Sequence, residues 1–278
     1  MTTKKRPAHQ GKTIRTEIRT SASPDQLWEA WADPEKLAQW FPDRAEGRAA
    51  EGAVQTWYFD RFKYALPYEI ASAVPGEHLV FTGQPPGRPR FFLEIEIARE
   101  GGSTRLTLAN SGFLDKEGWD EEYEGIVSGW QMSLALLKLY VERYYGRARS
   151  QFFAMRPAQY SYRDLLRLYR EEDELSRWLT TAGRIGEAGR PYQLTLREGG
   201  PATGEVLAVT GWEVLLSWNE IEGALGLKGF SLGQAGRAIC IHGSSWGLPA
   251  HSAAELETKF SSALERLAGA LEHVRASV

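Results

Sequence analysis

The chain has 278 residues, 42% of them hydrophobic and 25% charged, with 33 Lys+Arg against 36 Asp+Glu for a net charge of -3. That length suits two domains, each able to bury its own core, and the near-balance of charge excludes a generic nucleic-acid or anionic-membrane binder. No run approaches the roughly 18 apolar residues of a membrane span. The basic start, Met1 to Pro7, has no apolar segment after it, so the expected location is the cytoplasm.

Thr13 to Thr20 alternates β-branched and charged residues, as a half-exposed strand does. Ser23-Pro24 then reads as a helix start: a hydroxyl to cap free N–H groups, followed by proline where its missing N–H costs nothing. Leu27, Ala30 and Trp31 share a face of this helix. Asp33-Pro34 repeats the signal for a second short helix carrying Leu37, Trp40 and Phe41.

Strand patterns fill the chain from Ala53 to about Ser111. Pro75-Gly76-Glu77, Gln84 to Pro89 and Gly101-Gly102 supply the turns of an antiparallel meander. From about Trp119 to Tyr145, Ile126, Trp130, Leu134, Leu137 and Val141 form the stripe of a long helix. The pattern predicts a curved sheet with that helix laid across its concave face.

Gly146 to Ser161 reads as a link, in which Phe152 to Met155 is a candidate first strand of a second series. Helical patterns at Asp164 to Leu179 follow, then strands at Tyr192 to Leu196, Glu205 to Val209 and Glu213 to Trp218. After them come a glycine-rich stretch from Gly223 to Gly236, a strand from Arg237 to Ile241, and a closing helix with Phe260, Leu264, Leu267, Leu271 and Val274. Trp178 lies 138 positions after Trp40, Leu215 lies 135 after Val80, and Ile239 lies 133 after Leu106. Ordered matches with a slowly shrinking offset indicate a duplication whose second copy has shorter connections. The expected fold class is α+β, two tandem helix-grip domains over residues 1–148 and 149–278, packed as a pseudo-dimer within the chain.

Five separated motifs then carry a family resemblance: Ser23 to Phe41; Tyr68-Glu69-Ile70 with Pro75 to Phe81; Gly102 to Leu108; Ser111-Gly112-Phe113; and Gly129-Trp130 ahead of Leu134, Leu137 and Leu139. Over residues 12–146 the chain resembles homologues of the activator of heat-shock protein 90 ATPase. These belong to the START-like, or SRPBCC, superfamily, which also holds polyketide cyclases and plant allergen-like lipid carriers. The resemblance is weak over residues 150–278. It implies two small helices, an antiparallel sheet and a long C-terminal helix around a hydrophobic cavity. It implies little about chemistry, because this fold hosts binders, transporters and enzymes.

Trp28, Trp31, Trp40 and Phe41 read as core. The candidate ligand-binding wall is Trp57, Phe59, Tyr68, Phe81, Phe91, Leu93, Leu106, Leu108 and Asn110 from the sheet, opposed by Tyr123, Trp130 and Leu134 from the long helix. An apolar wall with a few polar groups is what a small-molecule cavity requires, and a packed core with no room is the competing reading. The expected ligand is a small hydrophobic or aromatic molecule bound without catalysis.

An enzyme of the cyclase or aromatase type would use Arg61, Tyr64 or Tyr68 as donors. A third reading is a protein-interaction module such as a chaperone ATPase regulator. His9, His78, His242, His251 and His273 show no metal-ligand spacing, and one cysteine makes no zinc site, so neither metal nor cofactor is expected. Cys240, between Ile239 and Ile241, reads as a small apolar residue of a buried strand. His242 beside Gly243-Ser244-Ser245 has no carboxylate in sequence reach to orient it, so no catalytic pair is expected there.

Overall fold

Ser23 closes a capping box at the start of the first helix: its Oγ accepts from Gln26 N at 3.2 Å, and its own N–H donates to Gln26 Oε1 at 2.9 Å. Pro24 occupies the first turn of this helix, α1 (Pro24–Ala32), and Asp33 caps α2 (Pro34–Leu37) by accepting from Glu35 N at 2.9 Å. Both start signals read from the sequence are therefore used. These contacts come from a computed structural model, which describes residues 12–84, 90–113, 120–231 and 236–276. Most of the Gln84 to Pro89 turn and the expected helix start at Trp119 lie outside the described residues.

The strands of the first half are β1 (Lys12–Thr20), β2 (Arg44–Gly47), β3 (Val54–Phe59), β4 (Tyr64–Val74), β5 (His78–Gly83), β6 (Phe91–Glu100) and β7 (Ser103–Phe113). They form one seven-stranded sheet in the order β1-β7-β6-β5-β4-β3-β2, a meander whose first strand closes against its last. Every pairing is antiparallel. Helix α3 (Asp120–Leu139) follows and runs into a π-helical turn at Tyr140–Tyr144.

The second half repeats this order with β8 (Ser150–Pro157), α4 (Tyr162–Arg170), α5 (Glu172–Leu175), β9 (Thr180–Ala182), β10 (Pro191–Leu196), β11 (Gly200–Val209), β12 (Glu213–Trp218), β13 (Gly223–Ser231), β14 (Arg237–Ser245) and α6 (Ala250–Ala276). Its sheet runs β8-β14-β13-β12-β11-β10-β9, the same permutation as the first. The fold class is α+β, two helix-grip folds in tandem. The duplication reaches single hydrogen bonds. Trp40 Nε1 donates to Ala30 O at 2.8 Å, and 138 positions later Trp178 Nε1 donates to Leu168 O at 2.8 Å. Each indole is fully buried and ties the end of the second short helix to the last turn of the first.

By compactness the chain divides into Met1–Val127 with Tyr140–Gly146, and Ser128–Leu139 with Arg147–Val278. Within the first unit, Tyr145 donates its hydroxyl to Glu29, whose Oε2 also lies 3.0 Å from Lys36 Nζ, so the turn after α3 is fastened to α1 and α2. Both partners hold the Glu29 carboxyl below its ordinary range, the Tyr145 hydrogen bond more than Lys36. In the second unit, Phe260, Leu264, Leu267 and Leu271 of α6 are buried in the core with Phe152, Trp218 and Ile241. No helix among the described residues is long and apolar enough to cross a membrane.

The stretch from Gly223 that reads as glycine-rich is strand β13, buried along most of its length. Its glycines are spaces. A Cβ on Gly223 would lie 2.2 Å from Ser244 O, and one on Gly229 would lie 2.3 Å from Leu165 Cδ2. Glycine inside a strand marks such close approaches, which is why strand propensity is lowest where this strand is most buried. The short strands β2 and β9 carry no hydrophobic alternation and were not expected from the sequence.

Candidate functional site

Register decides which side chains share a face, because residues directly opposite one another in a sheet point the same way. Ile70 opposes Phe81, Phe81 opposes Leu93, Leu93 opposes Asn110, and Asn110 opposes Ile14, giving one row across five strands. The next row joins Leu79, Ile95 and Leu108, and the next joins Ile97 and Leu106. With Trp57 and Phe59 on β3 and Tyr68 on β4, all nine sheet residues of the expected wall lie on this inner face. Trp57 is fully buried, which places its strand parity inward. Among the helix residues, Tyr123 belongs to the first unit, where its hydroxyl donates to Thr13 O at 3.3 Å and its ring meets Phe113 at 6.1 Å. Trp130 and Leu134 fall in Ser128–Leu139, which groups with the second unit.

One end of the inner face is filled. Trp57 lies 4.2 Å from Tyr68 and 5.1 Å from Phe81 between ring centroids; Trp31 of α1 and Phe41, after α2, pack over Trp57 at 6.2 and 5.5 Å, and Trp40 meets Trp31 at 4.8 Å. Gln55 is the polar clasp inside this cluster, accepting from Trp57 Nε1 at 2.8 Å and donating to Ala32 O at 3.1 Å. The rest of the face is less closed. Phe59, Phe91, Phe113 and Tyr123 remain only half-buried, although Phe59 meets Phe41 edge-on at 5.8 Å. The Phe91 ring crosses Gly83, whose Cβ would meet Phe91 Cζ at 2.9 Å, and its centroid reaches 5.4 Å from Tyr68. Asn110 is buried and donates to Phe92 O at 3.0 Å.

The second sheet meets the same positions differently. Gly83 pairs with Phe91, and the corresponding pair in the repeat is Trp218 with Gly223, so the aromatic has moved to the neighbouring strand. Trp218 packs against Phe152 at 6.5 Å and Phe260 of α6 at 6.2 Å, and Phe152 stacks on Phe260 at 5.4 Å. Leu196 and Ala202, the counterparts of Phe59 and Leu66, are buried. At these positions the inner face is filled.

The three donors considered for a cyclase are not brought together. Arg61 lies in the 3-10 turn Asp60–Phe62 and is exposed, and Tyr64 is 50% exposed at the first residue of β4. Tyr68 sits about 13 Å further along that strand and is 5% exposed. Burial there pushes its phenol far above the usual range.

His242 does have a carboxylate, contrary to expectation. Glu213 Oε1 lies 3.0 Å from His242 Nε2, and Glu213 Oε2 lies 2.9 Å from Lys228 Nζ. The sequence hides this because the partner is 29 residues away and two strands over. Gly226, between them on β13, lets the imidazole lie flat across the sheet: a Cβ there would fall 2.2 Å from His242 Nε2. Burial raises the Glu213 pKa, but Lys228 and then His242 pull it further down, leaving the carboxyl below its ordinary value. No serine nucleophile joins the pair through Ser245, whose hydroxyl donates to Ile221 O and accepts from Gly247 and Leu248 N–H. The triad is an ion cluster on the sheet's outer face. Gly226→Ala should therefore displace the imidazole and cost about 1–2 kcal/mol by overpacking, read as a lower urea midpoint; an unchanged midpoint would show that the ring is not held there. In the first unit, His78 similarly lies 3.0 Å from Glu94 and is only partly exposed.

The solved structures similar to this chain include DynU16, a putative protein in the dynemicin biosynthetic locus (19% identity, 92% of this chain and 98% of that one, TM-score 0.41). They also include the di-domain ARO/CYC BexL from the BE-7585A biosynthetic pathway (11% identity, 94% and 99%, TM-score 0.44). The Aha1 dimer from Colwellia psychrerythraea matches at 16% identity over 48% of this chain and 97% of its own, with a TM-score of 0.42. No curated protein matches. The family model for activator of Hsp90 ATPase homolog 1-like protein matches residues 21–142, in the part of the chain where the five motifs and the first sheet lie. Over those residues, less than half of its length, the chain is therefore similar to activator of Hsp90 ATPase homolog 1-like protein.

Proposed function

We propose that the first unit binds a small hydrophobic or aromatic molecule against the inner face of its sheet, without catalysing a reaction on it. The observation that carries this reading is the contrast between the two inner faces. In the first, Phe59, Phe91 and Phe113 stay half-buried beside an aromatic cluster, whereas Trp218, Phe152 and Phe260 fill the second. Exposed aromatic surface on a concave apolar wall, with Asn110 and Tyr68 as sparse polar groups, suits an aromatic or isoprenoid-sized ligand. The separation of Arg61 and Tyr64 from Tyr68 argues against a concerted cyclase site.

The test exchanges one pair of residues. Gly83→Trp with Phe91→Gly copies the filled arrangement of the second sheet into the first. Wild-type protein should enhance the fluorescence of 1-anilinonaphthalene-8-sulfonate, and the flavonoid quercetin should displace the dye and raise the melting temperature. The exchange variant should fold and lose both responses. Absence of either response in the wild type, or its persistence in the folded variant, would sink the proposal.

A further inference from the structure

The second copy has built something that the first lacks. Along α4, Arg163, Arg167 and Arg170 lie at spacings of four and three, on one side of the helix. They line an open groove of about 1470 Å³ whose other wall is the segment from Gly183 to Gln193, including Arg184 and Arg190. Leu166, Ile185 and Tyr192 give the groove an apolar part. Five arginines thus line one groove within the second unit.

The first copy has other residues at these positions. At the positions 138 residues earlier, the equivalent helix α1 has Asp25, Glu29 and Ala32 and is capped and buried in the same way. The duplication thus shows the same helix with no arginine at these three positions.

Two of the five are paired within the unit, Arg170 with Glu187 and Arg167 with Glu174 at 3.5 Å, which leaves Arg163, Arg184 and Arg190. The groove also has four carboxylates, but three are engaged: Glu187 with Arg170 at 2.6 Å, Asp164 with the Ser161 hydroxyl at 2.6 Å, and Glu172 with Gly183 N–H at 3.4 Å. Arg163, Arg184 and Arg190 make no side-chain hydrogen bond or ion pair among the described residues, and Glu171 is the one carboxylate left. Arg167 and Arg170 each keep a buried Nε with no hydrogen-bond acceptor. Planar guanidinium forks match carboxylate and phosphate oxygens in paired hydrogen bonds.

We infer that this groove is a second binding site, for an organic molecule bearing several phosphate or carboxylate groups, with its apolar part against Leu166, Ile185 and Tyr192. It is independent of the hydrophobic site proposed on the first sheet.

Calorimetry on the full chain in low-salt buffer, with inorganic pyrophosphate and with citrate as separate probes, tests it and tells phosphate from carboxylate preference. At least one probe should bind, more weakly as sodium chloride is added. Arg163→Asp with Arg167→Glu, which installs the first copy's residues, should weaken binding by about tenfold or more, since charge-assisted bonds are lost. Arg184→Glu with Arg190→Glu, both at exposed positions, should do the same and serves if the first variant fails to fold. Quercetin binding, a property of the other site, should be unchanged in both. Absence of binding by either probe, or undiminished binding in a folded variant, would overturn the inference.

Discussion

Trp40→Ala should destabilise the first unit by about 4 kcal/mol, and Trp178→Ala should do the same to the second, the usual cost of emptying a fully buried aromatic site. Each indole contributes twice. It fills the space under the short helices, Trp40 lying 4.8 Å from Trp31, and Trp178 5.8 Å from Tyr169. It also supplies the N–H that satisfies a carbonyl at the end of the preceding helix, Ala30 O or Leu168 O. Phenylalanine at either position should retain most of the packing and lose about 1–2 kcal/mol through the orphaned carbonyl. Amide hydrogen exchange on the full chain separates the two effects: Trp40→Ala should deprotect β3 to β7 first, and Trp178→Ala β10 to β14. Equal deprotection of both sheets by either variant would show that the two indoles are not parallel anchors.

Lys228→Met should cost about 3 kcal/mol at neutral pH, because removing one partner leaves a carboxylate buried and undercompensated. Glu213 is 2% exposed while Lys228 and His242 are 30% and 29% exposed, so the carboxylate has the most to lose. The pH dependence follows in sign. In the wild type the Glu213 pKa is depressed, so its stabilisation is fully present above the ordinary carboxylate range and is lost as the pH falls through the depressed value. In Lys228→Met that depression shrinks or reverses. The gap between the two proteins, read from urea midpoints, should therefore be widest near neutrality and close in acid. A gap independent of pH would show that Lys228 acts only through the packing of its stem.

Much of this architecture is legible in the chain because its signals are local. Ser23-Pro24 and Asp33-Pro34 cap within three residues, and the alternation Phe91, Leu93, Ile95, Ile97 names its own buried face. The drifting offset between copies survives because loops shorten while the elements keep their order. The glycines of β13 point the other way in sequence, since their role is defined by Ser244, His242 and Leu165, far along the chain.

The candidate site was legible as a set of residues, and the register shows that the nine from the sheet share a face. Which of them are sealed in core was not, for that depends on rings contributed by α1 and α2. The Glu213–His242 pair and the arginine groove were likewise invisible, because hydrogen bonds across strands and walls built from separate segments have no fixed sequence spacing. The sequence by itself determined two copies of a helix-grip fold, because caps, turns and hydrophobic period act over a few residues. Only the tertiary structure decided that one inner face keeps half-buried aromatics while the other is filled, and that charge gathers in the second copy. Packing and charge clustering are set by which distant side chains meet, as where Gly83 opposite Phe91 in one sheet becomes Trp218 opposite Gly223 in the other.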